Sequence, residues 1–249
     1  MKNIFAAGLI ALAIGVAGNA SAADLKLLIS NGMKDAVHDL APQFERATGH
    51  KLSIRYGTSA FLQRDMEAGE SFDVTVVPAP SIDAVAKAGK LDTSTRSDIA
   101  HSRIGIAVRK GAPKPDISTV EAFKRTMLNA KAIAYATVGT SGVHFIAVCE
   151  RLGIANEVKA KGKTLPGGVL AEFVVKGEAD FAIQQISELL PVEGVELVGP
   201  FPAELQLVTT YVASTGAMSR ESEASKTFIQ FLKTSAAVAV LKAKGLDPG

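Results

Sequence analysis

The chain has 249 residues, 47% of them hydrophobic, with one Cys and no Trp. Its 27 basic residues are nearly balanced by 25 acidic ones, for a formal net charge of +2, which excludes a strongly basic nucleic-acid binder. A lone Cys permits neither an intrachain disulfide nor a Cys-rich zinc site, and the abundance of Val, Ile, Leu and Ala argues for one or two buried cores rather than disorder.

The first segment reads as an address. Lys2 supplies a positive start, Ile4 to Val16 is an almost unbroken apolar run, and Ala20-Ser21-Ala22 provides the small residues that signal peptidase accepts. The run is short for about 30 Å of hydrocarbon, so a cleavable signal peptide over 1–22 is expected, with cleavage after Ala22 and a periplasmic mature chain.

The mature chain opens with a strand over Leu25 to Ser30 and a turn at Ser30-Asn31-Gly32. A helix follows whose Met33, Val37, Leu40 and Phe44 share one face, and Gly49 closes it. A second strand, Leu52 to Tyr56, leads through Gly57-Thr58-Ser59 into a helix over Phe61 to Ala68. A third strand, Phe72 to Val77, precedes a helix over Ile82 to Ala88. Three β-turn-α units in about seventy residues call for a parallel sheet flanked by helices.

The rhythm restarts with a strand over Arg103 to Val108. Ser118-Thr119-Val120-Glu121 has the pattern of a capping box, with Ser118 as the cap. A strand at Ala132 to Ala136 then leads through Val138-Gly139-Thr140-Ser141-Gly142 into a helix carrying Phe145, Val148, Cys149 and Leu152 on one stripe. Gly167-Gly168 is expected to start another helix. A strand ends at Gln184-Gln185, Leu205 to Ala213 leads back, and helices from about Ser222 and Ala236 close the chain. The expected architecture is α/β with two lobes and no linker. Lobe 1 is built from 23–103 and 208–249 and lobe 2 from 104–207. Ile104 to Val108 and Leu207 to Val212 cross between them.

No metal-ligand spacing, P-loop or G-x-S-x-G elbow is present. Gly162-Lys163-Thr164 echoes the end of a P-loop, but Glu157 stands where its first Gly must be. No metal and no cofactor is implied, and Cys149 reads as a small core hydrophobe. What recurs is a small polar cluster at a strand-to-helix junction: Ser30-Asn31-Gly32, Gly57-Thr58-Ser59, Thr140-Ser141-Gly142 and, without a hydroxyl, Gly167-Gly168. Helix N-termini present unpaired N–H groups and partial positive charge, so several converging ends make an anion site without Lys or Arg. Each cluster alone is an ordinary set of caps. In open α/β sheets such junctions lie at the carboxyl ends of the strands, where ligands bind. Arg55, Arg64 and Arg103 are candidates to complement a carboxylate, and His144 and Glu172 are available as acid or base.

Ser30-Asn31-Gly32-Met33, Leu40-Ala41-Pro42-Gln43-Phe44-Glu45, Thr48-Gly49, Tyr56-Gly57-Thr58-Ser59, Glu67-Ala68-Gly69-Glu70 and Phe72-Asp73-Val74 together resemble the periplasmic molybdate-binding family of type II solute-binding proteins. The resemblance runs across essentially all of the mature chain. It implies two α/β lobes joined by two crossover strands, an anion in the cleft, delivery to an ABC-transporter permease, and a monomer. Carried over position by position, it points to Ser30, Asn31, Gly32, Thr58, Ser59, Ser141, Gly142, Gly167 and Gln185 as ligand-binding residues. Gly32 stands where the family places a first Ser, and Gln185 where it places a Tyr, departures that point away from molybdate itself. The ligand class stays open between an organic carboxylate and a molybdate-like oxyanion. Ala100-His101-Ser102-Arg103-Ile104-Gly105 and Gly111-Ala112-Pro113-Lys114-Pro115 are similar to a subgroup that includes aconitate isomerase. That leaves a cis- to trans-aconitate isomerase as the alternative reading, with no catalytic residue assigned.

Overall fold

The computed structural model describes residues 22–249. Residues 1–21 of the expected signal peptide lie outside the described residues. In chain order the first units are β1 (Asp24–Ser30), a single 3₁₀ turn (Asn31–Met33), α1 (Lys34–Thr48), β2 (Lys51–Gly57), α2 (Ser59–Glu67), β3 (Val74–Pro78) and α3 (Ala79–Lys87). A 19-residue strand, β4 (Leu91–Arg109), then leads away. The second series is α4 (Val120–Asn129), β5 (Ile133–Ala136), α5 (Thr140–Arg151), α6 (Ala155–Ala160), β6 (Gly162–Leu165), α7 (Ala171–Val175), β7 (Phe181–Gln185), α8 (Ile186–Leu189) and β8 (Val195–Pro200). The return is made by β9 (Val208–Gly216), α9 (Ser222–Phe231), α10 (Ser235–Ala243) and a short β10 (Asp247–Pro248).

The strands lie in the order β2-β1-β3-β9-β4-β7-β5-β6. The β1–β2, β1–β3, β5–β6 and β5–β7 pairs are parallel, as β-turn-α units require. The two antiparallel strands β9 and β4 sit in the middle. The first part of β4, up to Arg103, pairs with β9, and the part from Ile104 pairs with β7 and β8. One strand thus belongs to both lobes. Gln206 ties the two connections together where they cross: its Oε1 accepts from the Ile104 N–H and its Nε2 donates to the Ile104 carbonyl, each at 2.9 Å.

Both faces of each sheet are covered, so the central strands are apolar on both sides. In lobe 1, Leu27 and Ile29 of β1 pack with Phe44, Phe228 and Leu241 on one face, while Leu28 packs with Leu62, Met66 and Val85 on the other. In lobe 2, Ile104, Ile106, Ile133 and Ile183 pack against Phe123, Phe145 and Cys149. The opposite face is built of Ala107, Ala134, Ala136 and Ala182 under Leu170 and Val174, a thin layer that lets short helices sit close to the sheet.

Local chemistry sets several boundaries. Gly49 adopts φ 77° and donates its N–H to the Glu45 carbonyl, closing α1 in the left-handed conformation that suits Gly. The cap of α4 is Thr119, whose Oγ1 accepts from the Ala122 N–H at 3.1 Å, not the expected Ser118. Ser118 instead donates to Asp116 Oδ1 at 2.7 Å, a local turn that outcompetes the capping box. Gly167 and Gly168 do not start a helix. Gly168 adopts φ 108°, outside helical space, and α7 begins at Ala171. Gly162-Lys163-Thr164 lies in β6, an edge strand parallel to β5, which removes any phosphate-loop geometry.

Candidate functional site

The parallel register of β1 and β2 sets Ser30 beside Gly57, so the two strands end side by side. Ser59, the first residue of α2, is thereby brought against Ser30, and the two Oγ atoms lie 2.8 Å apart. Both serines are buried, at 4% and 8% exposure. Thr58 precedes α2 without capping it through its side chain, and Gly139 precedes α5 with no side chain to cap it. Both helix N-termini therefore keep their partial positive charge directed at the space between the lobes.

That space is a small pocket. Ser30, Asn31, Gly32, Thr58 and Ser59 line it from lobe 1, and Ser141, Gly167 and Gln185 from lobe 2. Of the residues expected at the site, only Gly142 is absent from the lining. A Cβ there would overlap the Ala136 carbonyl oxygen, so Gly142 seats α5 against the end of β5 from behind the pocket. Ala136, Gly139, Thr140, Gly168, Gln184, Glu188 and Tyr211 also line the pocket; Thr140 and Gly168 belong to the expected junction clusters, whereas Glu188 and Tyr211 are unexpected.

Tyr211 descends from β9 and is fully buried. Its phenol lies beside Ser30, which lowers its pKa, and stands over Gly32, where a Cβ would overlap Oη and sit 2.6 Å from Cζ. Gly32 is thus a seat for a phenol that lines the same pocket. Burial, and then the nearby Glu188, hold the Tyr211 hydroxyl well above the ordinary phenol range, so it is a proton donor at every physiological pH.

The β7–α8 corner shapes the other wall. Gln184 Oε1 accepts from the Leu170 N–H at 2.9 Å and its Nε2 donates to the Gly168 carbonyl at 3.0 Å, fixing the Gly167-Gly168 loop. Gln185 Nε2 donates to Thr209 Oγ1 at 2.9 Å, while its buried Oε1 has no partner among the described residues. Ser187 Oγ donates to the Gly32 carbonyl at 2.7 Å across the lobes. Glu188 stands three residues after the cap of α8, near the Gln185 N–H, which lowers its pKa. It accepts from Gln184 Nε2 at 3.3 Å. Burial first, and Asp35 second, push its carboxyl up to about 7 against the lowering effect of those donors.

No Lys or Arg is among the residues lining this pocket. Arg55 pairs with Asp65 at 3.2 Å and Glu70 at 2.6 Å, Arg64 with Asp65, and Arg103 with Asp247. Glu172 is exposed and paired with Lys176. His144 Nε2 donates to the Leu205 carbonyl at 2.8 Å and lines a neighbouring groove instead. Cys149 is fully buried, and burial pushes its thiol up to about 12, as suits a core residue.

The pocket has free space of about 30 Å³, room for one small polar group. Through Asn31, Gly168, Gln184 and Glu188 it adjoins an outer chamber of about 260 Å³ that is also lined by Lys34 and Asp35. The arrangement is a donor-rich inner seat that no Lys or Arg lines, with a wider mouth that carries Lys34 and Asp35. Tyr211 and Glu188 carried no sequence signal of the junction type, since one lies mid-strand and the other inside a helix.

The family model described as bacterial extracellular solute-binding protein matches residues 25–247. Aconitate isomerase of Pseudomonas sp is 32% identical, over 90% of this chain and 87% of that protein. The molybdate-binding protein ModA of Escherichia coli (strain K12) is 24% identical, over 98% of this chain and 96% of that protein. Among solved structures, the periplasmic molybdate-binding protein of Azotobacter vinelandii superposes with a TM-score of 0.75 at 19% identity, covering 89% of this chain and 98% of that one. With its two lobes, its shared strands and a family match over nearly the whole described chain, the protein belongs to the bacterial extracellular solute-binding protein family.

Proposed function

We propose that the chain is a periplasmic solute-binding protein that captures a small anion in the interlobe pocket and delivers it to an ABC-transporter permease. The observation that carries this reading is the convergence of Ser30, Thr58, Ser59, Ser141 and Tyr211 hydroxyls with the ends of α2 and α5 on one pocket whose lining holds no Lys or Arg. Such a site replaces the hydration of an anion with fixed donors rather than a counter-ion. The inner seat suits one anionic head, and the outer chamber with Lys34 gives an organic acid room for a second one. A thermal-shift screen of carboxylates and oxyanions tests it. A carboxylate or oxyanion is expected to raise Tm in proportion to the logarithm of its concentration. No shift with any anion would sink the reading.

A specific observation supports a second reading, an aconitate-isomerase-like enzyme. Glu188 is a carboxyl on the wall of the inner pocket that titrates near neutrality, the property a proton carrier needs, and the aconitate isomerase relative is similar over most of both chains. In this reading a methylene proton leaves the bound acid, the double bond shifts by one carbon, and a proton adds to the former vinyl carbon. Incubating the protein with cis-aconitate and following vinyl protons by NMR checks it, and the absence of trans-aconitate at high protein concentration would reject it.

A further inference from the structure

We propose that Glu188 takes up one proton when the anion binds and donates it to that anion, so that the pocket captures its ligand and a proton together. The inference rests on the reading of the pocket as an anion site, and it holds whether the anion is then released to a permease or isomerised. Three observations carry it. Glu188 lines both the inner pocket and the outer chamber, so an anion passing to the serines lies against its carboxyl. No cation lines the inner pocket to offset a second negative charge there. The donor that Glu188 does have, Gln184 Nε2 at 3.3 Å, comes from its own corner rather than from the cavity. The charged and titratable groups facing it are Lys34 and Asp35 from α1 and Tyr211 from β9. Of these, Asp35 favours a neutral Glu188. An ionised carboxylate beside a bound anion is two like charges in one dry site, and a shared proton turns that repulsion into a hydrogen bond.

The test is calorimetry of the full mature chain with molybdate and with trans-aconitate at pH 8 and 9, where both probes are fully ionised, each in two buffers of different ionisation enthalpy. Because Glu188 is largely ionised above about pH 7, close to one proton per anion is expected to be drawn from the buffer, and Kd to weaken about tenfold between pH 8 and 9. Glu188→Gln, whose amide donates at every pH, is expected to show no uptake and a Kd that does not change over that range. The buffer comparison needs no variant, so it decides the matter even if Glu188→Gln folds poorly. Binding without proton uptake and with a flat Kd overturns the proposal and leaves the anion reading standing. A pH dependence that survives in Glu188→Gln assigns the proton to another group and overturns it as well. No binding of either probe removes the anion reading, and the proposal with it.

Discussion

Lobe 1 faces the pocket with hydroxyls, whereas lobe 2 faces it mainly with glycines, amides and a carboxyl. The lobe 1 side is already assembled: Ser30 and Ser59 hold each other, and Tyr211 leans on Gly32 and Ser30. The lobe 2 side is shaped for approach. Thr58 reaches across to it, and a Cβ on Gly167 would overlap Thr58 Oγ1. The difference separates two tasks. Preformed donors on one lobe supply affinity, since they need no ordering when the ligand arrives. Bare backbone on the other lobe leaves room for close approach, and in the proposed reading Glu188 sets which protonation state is held.

The largest expected effect falls on the assembled side. Gly32→Ala places a methyl group where Tyr211 Oη and Cζ lie, in a fully buried layer. Overpacking of this kind costs about 1–3 kcal/mol, so Tm should fall and anion binding should be lost by more than tenfold. Adding Tyr211→Phe removes the Oη overlap and should recover part of the stability but not the binding. If Gly32→Ala melts and binds like the parent, lobe 1 is not the rigid partner described.

Gly167→Ala probes the approaching side. Gly167 does not occupy positive φ, so Ala folds there without backbone strain, and the clash is with Thr58 of the other lobe. Affinity should drop about tenfold while the unfolding free energy without ligand stays within the roughly ±0.5 kcal/mol of a neutral substitution. Equal losses of stability and binding would mean that Gly167 serves its own lobe rather than closure.

Ser59→Ala should cost about 1 kcal/mol or more of binding, the range for a hydrogen bond to a charged group. It also removes the partner of Ser30 Oγ. Unchanged calorimetric affinity would take Ser59 out of the site.

Most of the lobe 1 side was legible because its residues sit at strand ends. Ser30, Thr58 and Ser59 follow apolar runs and precede helical periodicity, and in a parallel sheet such positions share one edge. Tyr211 was not legible, because a Tyr inside the apolar run of β9 reads as core, and only the pairing of β9 with β3 and β4 carries it over Gly32. Glu188 was missed for a related reason. It belongs to a four-residue helix, too short to show a 3.6-residue period, and its place depends on Gln185 capping that turn. Gly142 was read as a donor because it completes a polar triplet, yet its lack of a side chain serves packing on Ala136. Strand-end chemistry is thus written locally, while contributions from crossing strands and short turns are set by topology.

The smallest expected effect sharpens the claim that no cation reaches the inner pocket. By position in the sequence, Arg55 is the natural counter-ion, since it lies in β2 two residues before Gly57. In the fold it is held by Asp65 and Glu70 on the outer side of lobe 1, and both carboxylates neutralise it locally. Asp65 is kept below the usual carboxylate range by Arg64 first and Arg55 second, so the cluster satisfies its own charges. Arg55→Ala should therefore leave anion affinity unchanged and cost at most about 1 kcal/mol of stability, as partly exposed ion pairs do. The measurement is calorimetric Kd at low and moderate salt. A tenfold loss confined to low salt would show that the field of Arg55 reaches the pocket through solvent, because screening would erase it at moderate salt. A salt-independent loss would place a cation in direct reach of the ligand, and the contrast between a hydroxyl-built lobe 1 wall and an amide-built lobe 2 wall would no longer account for how the anion is held.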